Sequence, residues 1–127
     1  MNKIFALVLT LALLTACALP IEPVPADSGL SGQALIGPTC PVVRVDEPCP
    51  DAPYQTQFVV LRSKGGEVTR FESDEEGKFK VNLAPGDYIL HADNPDGSML
   101  PYVEDILFTV VAGAFTNIIV SFDSGIR

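Results

Sequence analysis

The 127-residue chain has no tryptophan, a single histidine and only eight Lys and Arg side chains against sixteen Asp and Glu, for a formal net charge of −8. Each scarcity removes a class of chemistry. Nucleic-acid phosphates are held by clustered Lys and Arg, and the cations here are scattered, so no nucleic-acid partner is expected. Zinc takes three or four His, Cys or carboxylate ligands. One histidine with cysteines at 40 and 49 offers no such set, and neither a metal nor a cofactor is predicted. Triad catalysis needs a histidine beside a nucleophile. His91 instead alternates with Tyr88, Leu90 and Ala92, the pattern of a solvated strand residue, so no catalytic residue is assigned and the chain is not expected to be an enzyme. The lack of tryptophan also weighs against a flat aromatic platform for sugars. Finally, no apolar run reaches the roughly 18 residues that a membrane-spanning helix requires.

What the chain does have begins at its amino terminus. Lys3 is the only charge in the first sixteen residues, and Ile4–Leu14 is an apolar stretch of eleven residues broken only by Thr10. This is the layout of an export signal. It ends in Leu14–Thr15–Ala16–Cys17, which resembles the lipobox of bacterial lipoproteins. The resemblance implies that residues 1–16 are a signal peptide removed on export. Cys17 would carry a thioether-linked diacylglycerol, and the new amino terminus would be acylated with a palmitate-type chain. A thiolate is the nucleophile such chemistry needs. The implied location is the extracytoplasmic face of a bacterial membrane, with the lipid anchor making the membrane itself a partner. Ala18 and Leu19 provide no acidic retention signal, so the outer membrane is expected in a cell that has one. The alternative for the same stretch is an ordinary secretory signal cut near Ala16 or Ala18. With Cys17 given to lipid by that resemblance, Cys40 and Cys49 are left as one pair, and an oxidising compartment allows them to form a disulfide.

Residues 17–29 hold prolines at 20, 23 and 25 and read as a tether. The twelve residues 18–29, extended at about 3.1 Å each, reach roughly 37 Å. The folded unit is predicted over 30–127. Its strands are expected at Gly32–Ile36, Phe58–Arg62, Glu67–Phe71, Lys78–Leu83, Tyr88–Ala92, Ile106–Val111 and Thr116–Phe122, with no helix. Between the first two lies an insert, 38–56, with five prolines and both remaining cysteines. It is read as a disulfide-stapled loop with at most a short extended piece at Val42–Val45. Seven short strands with frequent turn signals predict an all-β sandwich, a small barrel being the alternative.

The stretch Ser73–Asp74–Glu75–Glu76–Gly77–Lys78–Phe79–Lys80–Val81–Asn82–Leu83–Ala84–Pro85–Gly86–Asp87–Tyr88 resembles a signature of the carboxypeptidase regulatory-like domains, also called prealbumin-like or collagen-adhesin B-type domains. That resemblance implies a seven-stranded Greek-key β-sandwich of the prealbumin-like kind. In it Asp74 caps a turn, Gly77 takes a left-handed conformation, Phe79, Val81 and Leu83 fill the core, and Tyr88 packs at the start of the next strand. Some members carry a Lys–Asn isopeptide bond. Here Lys64 falls in a turn and Lys78 and Lys80 on the wet face, so that bond is not expected. Such domains act as spacers, adhesins and contact modules, and fold alone does not choose among these. The function expected is a membrane-anchored, non-catalytic module that contacts another envelope or surface component, an envelope protein or a glycan. The alternative is a carbohydrate- or peptide-binding module, with glycan or peptide recognised by loop tyrosines Tyr54 and Tyr102. Asp93, Asp96, Asp105, Asp74 and Glu76 could supply calcium oxygens, though turn and solvation roles account for them.

Overall fold

A computed structural model of the protein describes residues 23–42, 45–94 and 97–126. Among these residues the secondary structure is entirely β, with eight strands in two four-stranded sheets. In the first sheet β1 (Gly29–Gly37) is the central strand. β8 (Phe115–Asp123) runs parallel to it, from the pair Gly29 and Phe115 to the pair Gly37 and Asp123. The other edge of β1 is shared. β5 (Lys78–Asn82) pairs antiparallel with Gly29–Gln33, and β2 (Ala52–Pro53) with Leu35–Ile36. The second sheet is antiparallel throughout, in the order β4 (Glu67–Glu72), β3 (Gln57–Arg62), β6 (Gly86–Asp93) and β7 (Ile106–Val110).

Alternation along these strands decides which face is buried. On β5 Phe79 is buried while Lys78 and Lys80 are exposed; on β6 Tyr88 and Leu90 are buried while Asp87 and His91 are exposed. The inward faces meet in one core that includes Leu30, Phe58, Val60, Leu90, Val110 and Val120. Phe58 sits at its centre. Its ring lies 5.4 Å from Phe71 on its own sheet, and 5.3 and 6.1 Å from Phe79 and Phe122 on the other. Offset and tilted rings at these separations are favourable beyond the area they bury, so this cluster fastens the two sheets together.

The turn before β5 is fixed by its own side chains. One Asp74 carboxylate oxygen accepts the backbone N–H groups of Glu76 and Lys78, each at 2.9 Å. Gly77 has a φ of +76°, and a Cβ there would lie 2.2 Å from the Ala34 carbonyl oxygen, so glycine is required for both conformation and space. The following turn is closed by the Tyr88 hydroxyl, which donates to the Ala84 carbonyl at 2.5 Å.

Three boundaries differ from the sequence reading. The folded unit starts before residue 30: Ser28 is fully buried, donates its hydroxyl to the Leu83 carbonyl at 2.8 Å, and leads straight into a strand that begins at Gly29 rather than Gly32. There are eight strands rather than seven, because Ala52–Pro53 adds a two-residue strand to β1. Val42 and Val45 are exposed and lie in bends rather than a strand, with residues 43 and 44 outside the described residues.

The topology gives the molecule two distinct ends. At one lie the point where residues 23–28 join β1, the β3–β4 turn, the Leu83–Pro85 turn and the 111–114 turn. At the other, about 30 Å away along strands of nine residues at roughly 3.3 Å each, lie the described residues of the 38–51 insert and of the 94–105 loop, together with 124–126. Removing the central ring tests this packing. Phe58→Ala is expected to lower stability by about 3–5 kcal/mol in equilibrium urea unfolding, and a loss below about 1 kcal/mol would contradict the core as assigned.

Candidate functional site

Of the residues expected to carry function, Cys40, Cys49, Tyr54 and Tyr102 fall at the end remote from residues 23–28. Cys40 and Cys49 are joined by a disulfide with their Cα atoms 6.2 Å apart. The bond closes the tip of the insert. Thr39 Oγ1 lies 2.9 Å from the Cys49 sulfur and donates to the Pro50 carbonyl at 3.3 Å, binding the two arms of the loop. The loop is tied to the sheet by Ser124, whose hydroxyl donates to the Pro38 carbonyl at 2.6 Å. Cys17 lies outside the described residues.

The two loop tyrosines have different surroundings. Tyr54 is half-buried, its ring edge-on to Phe122 at a centroid distance of 4.9 Å, and its N–H donates to the Ala34 carbonyl. It extends the core. Ser73, itself buried, donates to the Tyr54 carbonyl and accepts the Thr56 N–H, each at 2.9 Å, which anchors this connector to the β4–β5 turn. Tyr102 is 55% exposed. Its backbone exchanges two hydrogen bonds with Asp123, at 2.9 and 2.7 Å, while its ring stands on the surface. Tyr54 lines a shallow concavity of about 370 Å³ and Tyr102 a neighbouring one of about 390 Å³. Asp93, Asn94, Ser98 and Pro101 border both. The 94–105 loop thus stands between the two rings, and beside Tyr102 it exposes Met99 and Leu100, which the sequence pattern did not single out.

The carboxylates considered as calcium ligands are engaged in other work. Asp93 accepts from Arg70 at 2.7 Å, Asp105 pairs with His91 at 2.6 Å, Asp74 caps its turn, and Glu76 pairs with Lys78 at 3.1 Å; Asp96 lies outside the described residues. No three His, Cys, Asp or Glu side chains among the described residues are grouped to hold a metal. Arg70 bonds Glu67 as well as Asp93, and these carboxylates, Glu67 foremost, raise its pKa further above an already high value. His91 and Asp105 are each about half exposed. They sit on the outward face of the second sheet rather than in a closed cleft. The described lysines 64, 78 and 80 are all exposed.

No family model and no curated protein matches the chain. Among solved structures it is similar to the Bacillus anthracis TIE protein, with a TM-score of 0.51 at 21% sequence identity, over 76% of this chain and 17% of that one. The likeness is one of fold.

Two measurements separate scaffold from surface here. Tyr54→Ala is expected to cost about 2 kcal/mol through its lost packing on Phe122, whereas Tyr102→Ala should stay within about 0.5 kcal/mol; thermal melts of both variants check this. Reducing the Cys40–Cys49 bond should lower stability by roughly 2.6 kcal/mol in the chain-entropy account, read as the difference between urea curves with and without dithiothreitol.

Proposed function

We propose that the protein is a lipid-anchored extracytoplasmic lipoprotein whose prealbumin-like Greek-key sandwich is a non-catalytic contact module for another envelope or surface component. The observation that carries this reading is the polarity of the domain. The chain joins the sandwich at one end, where Val24 lines a concavity with Arg62, Val68, Leu83 and Pro85, and the long loops stand at the other. An anchor at Cys17 followed by an extended tether would therefore hold the 38–51 and 94–105 loops outward. The distribution of charge fits that orientation. Arg62 and Lys64 lie at the end that would face the bilayer, alongside Asp27, Glu67 and Asp87, whereas towards the far end Asp46, Glu47, Asp51, Asp74, Glu75, Glu76, Asp93, Glu104 and Asp105 stand against Arg70 and Lys78. An anionic membrane surface would favour the mixed end over the acidic one. The disulfide is compatible with export.

Seven principal strands, with β2 as a two-residue addition from the insert, support the prealbumin-like part of this reading. The peptide- or carbohydrate-binding alternative draws support from Tyr102, whose exposed ring stands beside Met99 and Leu100; Tyr54 contributes less to it, since its ring faces Phe122. In a cell with two membranes the outer one is the proposed destination, by the absence of acid at positions 18 and 19.

Anchoring is the first test. Three acyl chains exceed the two signals that stable attachment requires, so Cys17→Ser should lose both the label from an alkyne fatty acid fed to cells and the protein's place in the membrane fraction. Equal labelling of wild type and variant would end the lipoprotein reading.

A further inference from the structure

The two open flanks of the sandwich are built differently. One is bordered by β4 and β5, which carry Glu67, Arg70, Glu72, Lys78 and Lys80, and the β3–β4 ladder next to it is interrupted by an irregularity at Val60–Leu61. Charged side chains and bulges are the devices by which sheets discourage unwanted pairing. The other flank is bordered by β7 and β8. Neither strand has a charged residue from Ile106 to Val110 or from Phe115 to Phe122. Leu107 is 76% exposed and Ile119 55% exposed on this side.

β8 has only β1 as a ladder partner among the described strands, so its outer edge is open. Backbone groups of successive residues in a strand point to opposite sides. At Asp123 both groups point outward, since its N–H and C=O are bonded to Tyr102. By the same alternation, Ser121, Ile119 and Asn117 also direct N–H and C=O away from β1, and all three residues are exposed. Tyr102 thus occupies one rung of this edge, and no described strand pairs with the rungs from Ser121 down to Asn117; just below them the Thr116 hydroxyl donates to the Thr109 carbonyl of β7 at 2.5 Å. At the Ser121 end of this stretch, between β7 and β8, lies an open concavity of about 580 Å³ bordered by Val103, Glu104, Asp105, Leu107, Ser121 and Asp123. Its apolar wall suits an extended chain, and its carboxylates favour a cation on that chain.

We propose that the outer edge of β8 is a strand-addition site for an extended segment of another protein, with an apolar residue beside Ile119 and a Lys or Arg where the strand meets Glu104, next to the Asp105–His91 pair. Main-chain hydrogen bonds to an exposed edge supply affinity in this mode, and alternate side chains supply specificity. The net charge of −8 argues against a second copy as the occupant, because like-charged copies repel, and favours a cationic partner segment. This deepens the contact-module reading and rests on it, by naming the edge used and the chemistry of the segment.

The test uses the full chain in detergent and a fluorescent capped peptide, KTVTVTV, followed by anisotropy and by hydrogen–deuterium exchange. Binding with slowed exchange confined to Asn117–Ser121 is expected. Replacing the peptide lysine by glutamate should weaken binding at least tenfold. Ile119→Pro should do the same, since this outward N–H is not part of the β1 ladder and proline is tolerated on edges. A measurement that leaves the protein unaltered guards against misfolding of that variant. Of two peptides N-methylated at alternate positions, one should lose binding at least tenfold and the other retain it, because only one side of an added strand faces β8. No binding, equal loss from both methylation patterns, protection at β4 or β5, or indifference to the lysine would overturn the proposal. So would a dimer of the chain abolished by Ile119→Pro, which would make a second copy the occupant. A native partner that co-purifies equally with wild type and Ile119→Pro would leave the contact-module reading standing while removing the strand-addition site.

Discussion

The structure depends on the pairing of β1 with everything around it. β8 is held to the first sheet only through β1, and β5 and β2 reach it only through the opposite edge of the same strand. Close approach is built into the sequence at Gly32. A Cβ at this position would lie 1.9 Å from the Ile118 carbonyl oxygen and 2.9 Å from the Phe79 ring, so any side chain would push β8 or Phe79 away. Because β1 and β8 lie at opposite ends of the described chain, their ladder closes the whole domain. Such non-local pairing rewards the chain only after a large loss of loop entropy. The ring cluster around Phe58 then joins the closed first sheet to the second, which is why one strand and one side chain govern so much of the fold.

What was legible in the sequence was local. The Asp74–Gly77 turn, the inward set of Phe79 and Leu83, and the packing of Tyr88 are all found where the residue pattern placed them, since each is fixed by neighbours a few positions away. The Cys40–Cys49 bond followed from the count of cysteines once Cys17 was set aside. What escaped was non-local. A two-residue strand containing Pro53 has no periodicity to read, and Ala52–Pro53 is ordered by β1 rather than by its own sequence. Tyr54 follows a proline in a polar stretch and reads as a surface residue. Its ring is drawn inward by Phe122, far along the chain, and its carbonyl is held by Ser73. The candidate surface was legible only in Tyr102. Its neighbours Met99 and Leu100 are apolar residues without a period, and no sequence pattern distinguishes an exposed apolar loop from a buried one.

An open edge is likewise a property of topology and not of composition. The stretch from Phe115 to Phe122 would read the same at the centre of a sheet as at its margin, and its lack of charge would then be ordinary. Only the arrangement of strands turns that composition into an unprotected border. The contrast with β4 and β5 matters for the same reason: the chain places charge on the strands of one flank and withholds it from the other.

An uncharged edge nevertheless carries a hazard, since it pairs as readily with a copy of itself as with a partner. Net charge offers a way to separate the two. With sixteen acids against eight basic residues, two copies approaching edge to edge bring Glu104 and Asp105 of each into a field of the same sign. A cationic segment meets the opposite field over the same groove. The usual protection, a lysine on the edge itself, would block both encounters. Moving the charge from the edge to the acidic loops at its end discourages self-association while leaving the backbone groups available. On a membrane this distinction gains weight, because tethered copies share a surface and meet at high effective concentration. Under the proposed anchoring, repulsion between outward ends would act where self-pairing is otherwise most favoured, and acidity, tether and uncharged edge would work as one arrangement.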